Sequence, residues 1–320
     1  TICSIPASAM SDANVQSPTA RAWQRFKSNR AGWCSAWFLA GFVLLAALWP
    51  ALAPYPPDAI SDAQFRPPSA AHWFGTDVHG RDLLTRVLYG ARISLLVGGV
   101  GAGVSLVIGV LWGAVAGYVG GRLDGLMMRI VDVLYALPSI VFVIVLLTAL
   151  NGILDRSQAR GWSGETSRSV QLLGLFVGLG AISWLTMARI VRGEVLSLRT
   201  RPFVEASRAL GAGHARILWL HILPNVVGIA IVYLALTVPA VVLYESFLSY
   251  LGLGIQPPQA SLGSLIAEGA SQINPIRIYW WVIVFPAATL ALALLALNFL
   301  GDALRDALDP GSALDQSPAH

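Results

Sequence analysis

The stretch from Glu205 to Pro224, EASRALGAGHARILWLHILP, gathers the residue types best suited to recognition chemistry: a carboxylate, a run of small side chains, two guanidinium groups and two glycines. Arg201 to Gly213 predicts a short helix with signalled ends. Pro202 suits a first helical turn, Glu205 adds favourable negative charge near the N-terminus, and Gly211 and Gly213 stop the helix. Phe203, Val204, Ser207 and Leu210 then make a small, apolar face suited to a partner's groove, with Arg208 projecting away. A helix of this pattern also suits a membrane surface.

Bond-making chemistry has few candidates. A phosphate-binding GxxxxGK loop needs a lysine after glycine, and Lys27, which follows Phe26, is the one lysine in the sequence. His72, His79, His214, His221 and His320 form no HExxH helix, no GxSxG elbow occurs, and Cys3 and Cys34 show neither pairing nor metal spacing. No catalytic residue, metal or cofactor is expected. Polar side chains deep in apolar sequence are scarce as well: Asn298 is the main one, and Glu245 and His221 lie near the ends of apolar runs. Glu245 reads either as an interfacial carboxylate meeting water or an arginine, or as a lining residue of a pathway; Asn298 is the second pathway candidate. Proton- or sodium-coupled carriers bury more ionisable groups than this, so energy for any transport must come from outside the chain.

The elements that position these residues are membrane spans. Hydrophobic residues make up 56% and charged residues 12% of 320 residues, and mean hydropathy is +0.66; soluble domains carry about a quarter charged residues. Runs without Asp, Glu, Lys or Arg cover Ala31 to Tyr55, Ile93 to Gly121, Val133 to Leu154, Ser169 to Ala188, Ile222 to Tyr244 and Ile278 to Gly301. Each supplies the ~20 apolar residues of a spanning helix and exceeds the ~10 of a barrel strand, so an all-α polytopic protein of six helices is predicted. The first run is expected to remain as a span and not to be a cleaved signal.

With the N-terminus inside, thirteen of the 21 Lys and Arg residues fall in inside segments and eight in outside segments, which favours N-in and C-in and puts the Glu205 loop inside. The same bias accounts for the net charge of +4, so nucleic acid is not an expected partner, whereas membrane lipid is.

Within the second run Gly101, Ser105, Gly109, Gly113, Gly117 and Gly121 recur every four residues, allowing close backbone approach. Each such step advances about 40° around a helix, so the stripe winds and cannot serve one neighbour throughout. Gly174 and Gly178 repeat the theme in the fourth run; tight packing and a moving interface both suit the pattern. Pro138, Pro239 and Pro286 favour kinks in the third, fifth and sixth spans. Leu83, Leu84, Val87, Leu88 and Ile93, opposite Arg81, Asp82, Arg86 and Arg92, predict an amphipathic helix at the outer interface that feeds the second span.

The spacing of Glu205, Ala206, Ser207, Gly211, Leu223 and Pro224 resembles the EAA loop of type I ABC importer permeases, with Ser207 in place of the third alanine and His221 where the general consensus has Ile. HWFGTDVHGRDLLTRVLYGARISL (72 to 95), VDVLYALPSI (131 to 140), ESFLSYLGLGIQPPQASLGSLIAEG (245 to 269) and LGDALRDALDP (300 to 310) are similar to the C-type permease of dipeptide, oligopeptide and nickel importers. The resemblance covers about residues 21 to 310 and implies a type I transmembrane fold in the bacterial inner membrane. It further implies pairing with a homologous B-type permease, two ABC ATPases that hydrolyse the ATP, and an extracytoplasmic substrate-binding protein. On that match, ATPase coupling falls to Glu205, Ala206, Ser207, Leu210, Gly211, Leu223 and Pro224.

The expected organisation is a disordered leader (1–20), an N-terminal span with an extracytoplasmic segment (21–90), a permease domain (91–305) and a tail (306–320). Short peptides are the favoured cargo, a nickel chelate or another small solute the alternative. An independent secondary carrier ranks lower, as does an uncoupled membrane enzyme or channel.

Overall fold

A computed structural model of the chain describes residues 18–53, 55–158, 164–255, 259–273 and 276–308, so most of the expected leader and tail lie outside the described residues. In chain order the helices are α1 (Pro18–Ser28), α2 (Arg30–Ala47), α3 (Trp49–Leu52), α4 (Leu83–Val119), α5 (Gly121–Ala136), α6 (Ser139–Gln158), α7 (Gly164–Leu198), α8 (Pro202–Ala209), α9 (His214–Ile217), α10 (Leu223–Tyr250), α11 (Leu262–Ser271) and α12 (Trp280–Leu308). A π-helical turn, Leu218–Ile222, joins α9 to α10. Among the described residues five helical segments are long and apolar enough to cross a membrane, and α5 with the first part of α6, bent by 86°, makes six if that pair counts as one span.

The glycine stripe sets the central packing. A Cβ at Gly109 would crowd Met187, one at Gly113 would stand 2.9 Å from Val191 Cβ, and one at Gly117 would stand 2.8 Å from the Arg192 carbonyl, so this half of α4 lies directly on the backbone of α7. At the other end Gly98 meets Val242, and Gly101 would bring a Cβ within 2.9 Å of Val241, both on α10. The stripe therefore changes partner partway, as its winding requires. Gly180 of α7 answers from the other side, tight against Val104.

Prolines behave unequally. Pro138 stands between α5 and α6, where its missing N–H and the steric demand on Leu137 break the helix. Pro239 and Pro286 are buried inside α10 and α12, which run on past them.

The amphipathic sequence from residue 83 runs into the second span without a break: it is the first part of α4, which continues to Val119. Arg86, expected on its polar face, is only 3% exposed. Its Nη1 donates to Asp77 Oδ2 at 2.8 Å and to Glu268 Oε2 at 2.5 Å, and its Nη2 to Glu268 Oε1 at 3.0 Å. Arg81 joins through Nε to Asp77 Oδ2 at 2.7 Å. Two further groups fix the segment before α4: Asp82 caps the helix by accepting from Thr85 N, and Trp281 Nε1 donates to the Thr76 carbonyl. The charges thus tie the loop before α4 to α11, with the guanidinium shielded and held by three hydrogen bonds to two carboxylates.

Two measurements check this packing. Gly113→Val should destabilise the purified chain by about 1–3 kcal/mol through overpacking in thermal unfolding, while Gly103→Val, with open space around its Cβ, should change little. Asp77→Ala should cost about 1–3 kcal/mol because it removes one of the two carboxylates that bond buried Arg86 while Glu268 remains, and exposed Asp58→Ala should cost almost nothing.

Candidate functional site

The polar loop folds as two short helices at one end of the bundle. Arg201, in extended conformation, precedes α8, Pro202 occupies its first turn and Glu205 follows within that turn. At the other end Gly211 has φ +83°, its N–H donates to the Arg208 carbonyl, and Ala212 N donates to the Ser207 carbonyl at 3.1 Å. These two bonds form a Schellman motif, which needs the left-handed residue that glycine supplies. Space beside Gly211 is open, so the backbone conformation and not crowding selects glycine there.

The face expected to enter a groove is divided. Val204 is fully buried with Val195, Leu198, Ile217, Ile222 and Val226, so it nails α8 to its own bundle and is unavailable to a partner. Phe203 and Leu210 are 41% and 88% exposed, and Ala206 is exposed beside them. Ser207 turns its hydroxyl back to the Phe203 carbonyl at 2.8 Å. Arg208 does not simply point away: with Glu205, Tyr118, Arg199, Thr200 and His214 it lines a cavity of about 750 Å³ between the loop and the end of α4.

Polar contacts make the mounting stiff. Arg199 Nη1 donates to the Gly117 carbonyl at 3.1 Å, and Tyr118 Oη is 2.9 Å from His214 Nδ1. One level deeper, Arg192 grips Asp124 with Nε–Oδ1 2.5 Å and Nη2–Oδ2 2.6 Å, a bidentate pair joining α7 to α5. Arg189 reaches Asp132 at 2.7 Å nearby.

Leu223 and Pro224 sit where the loop re-enters the bundle, Leu223 half-buried and Pro224 exposed. Proline has no N–H for the helical ladder, and the turn before it is π-helical: Leu223 N bonds to the Leu218 carbonyl, five residues back. Asn225 Nδ2 then donates to the His221 carbonyl at 2.6 Å. Sequence reasoning missed this wider turn; its signal was the Pro-Asn pair beside an otherwise regular apolar pattern.

The two pathway candidates lie apart, in opposite halves of the bundle. Glu245 meets neither solvent nor an arginine on this chain: it is 0% exposed, accepting from Ser94 Oγ at 2.9 Å and Ser249 Oγ at 2.7 Å. Ser94 Oγ also accepts from Leu262 N at 3.2 Å, so this cluster joins α4, α10 and the start of α11. Asn298 is exposed and donates back to the Leu294 carbonyl of its own helix at 2.8 Å. No grouping of three or more His, Cys, Asp or Glu side chains among the described residues could hold a metal ion.

Comparison with known proteins adds the family. Residues 109–313 match the family described as binding-protein-dependent transport system inner membrane component, and residues 17–68 match the N-terminal TM domain of oligopeptide transport permease C. The oligopeptide transport system permease protein OppC of Haemophilus influenzae is 43% identical over 298 residues, covering 90% of this chain and 88% of the relative. The dipeptide transport system permease protein DppC of Bacillus subtilis is 43% identical over 293 residues, covering 91% and 85%. OppC of Escherichia coli is 42% identical over 298 residues, covering 90% and 91%. With the spans, the helical fold and matches along nearly its whole length, the chain belongs to the binding-protein-dependent transport system inner membrane components, the permease subunits of type I ABC importers.

Proposed function

We propose that this chain forms half of an inner-membrane permease for short peptides, and that partner ATPases drive it through α8. The observation that carries the coupling role is the division of α8: Val204 is locked into the bundle while Phe203, Ala206 and Leu210 are left outside. Such a helix transmits displacement. A partner gripping the outer face moves Val204, and with it the buried cluster on α7, α9 and α10.

The loop, α1 and the end of α12 share one side of the bundle, which together with thirteen cations against eight supports an N-in, C-in orientation. Two ATPases would then meet this permease and a homologous second one from the cytoplasm, and a binding protein would deliver cargo on the α11 side. The second permease has a suitable surface in α5 and α6, where Leu126, Val133, Val141 and Val145 are between 53% and 62% exposed. Peptide cargo follows from the relatives, whose names specify oligopeptide and dipeptide transport.

Alternating access then has defined parts. ATPase closure shifts α8, the Arg199 and Tyr118–His214 contacts hold the loop to α4, and the π turn at Leu218–Ile222 passes the motion into α10. Glu205 and Arg208 flank the cavity and offer charges at the margin of the docking face.

Reconstitution with a second permease, ATPases and binding protein tests the reading. Short peptides should stimulate ATP hydrolysis and a nickel chelate should not; Leu210→Asp should cut that stimulation at least about tenfold, the effect of losing a hot-spot contact. Because Leu210 is 88% exposed, thermal stability should hold, and undiminished stimulation would remove α8 as the coupling element. Pro224→Ala, which restores an N–H to the ladder, should preserve ATPase assembly but lower peptide uptake per ATP hydrolysed.

A further inference from the structure

The N-terminal corner carries a surface that the transport cycle does not use. Helix α1 bears Arg21, Arg25 and Lys27, Arg30 opens α2, and the sequence from Pro18 to Pro57 contains no carboxylate side chain. Arg21, Lys27 and Arg30 are exposed. Asp302 and Asp306, in the last turns of α12, are exposed as well, so the four cations of this corner outnumber the two carboxylates at the end of the helix it packs on.

Aromatic rings surround these charges. Trp23 stacks on Phe26 with centroids 5.8 Å apart, Trp33 lies edge-on to Trp23 at 6.0 Å and to Trp37 at 5.9 Å. The Lys27 ammonium sits 5.1 Å from the Trp23 ring centroid and 5.8 Å from that of Trp33. Trp23 and Trp37 nevertheless remain 53% and 65% exposed. Amphipathic rings beside cations with long apolar stems are what the boundary between headgroups and acyl chains favours.

The corner is also held in place. Asn29 caps α2 by accepting from Gly32 N, Gly32 lies so close to Ala303 that a Cβ there would overlap it, and Phe26 is buried against Ala303 and Ala307. The cationic, aromatic face is therefore fixed relative to the end of α12 and cannot fold away into the bundle.

We infer that this corner binds the headgroups of anionic phospholipid, with Arg21, Arg25, Lys27 and Arg30 at the level of the phosphates and Trp23 and Trp37 at the glycerol level. Charge complementarity selects the occupant: four cations disfavour a lipid of no net charge relative to one of net negative charge. The inference is independent of which side of the membrane the corner occupies and of what the permease carries.

The test uses the full-length chain, purified after exposure to vesicles of equal phosphatidylglycerol and phosphatidylcholine, with retained lipids counted by native mass spectrometry. Each cation near an anionic surface is worth about fivefold in occupancy, so Arg21→Gln with Lys27→Gln should lower the retained phosphatidylglycerol to phosphatidylcholine ratio at least about fivefold. Arg277→Gln, an exposed cation at the other end of α12, should leave the ratio alone. Raising salt should weaken the wild-type preference. An unchanged ratio in the double variant, or an equal fall in Arg277→Gln, would overturn the assignment. Displacement of the lipid by dissolved glycerol phosphate would overturn it too, by reducing the site to one for free phosphate. Thermal unfolding of both variants separates lipid loss from misfolding.

Discussion

Direct backbone contact between α4 and α7 is the constraint on which the rest of the bundle depends. In hydrocarbon, apolar side chains gain little by leaving lipid for one another, so two helices stay together by fitting closely. Gly109, Gly113 and Gly117 provide that fit along one half of α4, and the closeness lets Arg199 reach the Gly117 carbonyl. The mounting of α8 thus rests on three absent side chains. On the other half the same stripe, turned around the helix, receives α10, so α4 is the shared wall of both helices that flank the coupling loop.

The two ends of this framework are stabilised differently. At the α8 end the polar groups are partly open: Arg189–Asp132 is exposed and the cavity beside Glu205 is unfilled by protein. At the α11 end Arg86, Asp77 and Glu245 are buried and hydrogen-bonded. Separating partners in a buried network leaves a charge uncompensated. The α11 end is therefore the more costly of the two to pull apart.

Much of this was legible in the sequence because the bilayer imposes long, uniform signals. Charge-free runs located the spans, though the helices outlast them: α7 continues from Ala188 to Leu198 on arginines that find Asp124 and Asp132 on α5. Pro202 and Gly211 bounded α8 closely, since each acts through local backbone geometry. What stayed hidden depends on distant partners. Val204 reads like Phe203 until the fold places it inside, Arg86 reads as a surface charge until Glu268 arrives from 182 positions away, and Glu245 gave no sign that Ser94 of α4 would bond to it.

The break at Pro138 has a consequence for where water goes. A corner of 86° interrupts the helical ladder, leaving the last carbonyls of α5 and the first amide groups of α6 without partners in their own helices. Lipid tails offer such groups nothing, so non-helical backbone next to a bilayer needs water or other protein beside it. Leu137 and Pro138 are both exposed on this chain alone. Asp132, close before the corner, is exposed and paired with Arg189, so the corner has polar neighbours and suits water or a partner surface better than lipid tails.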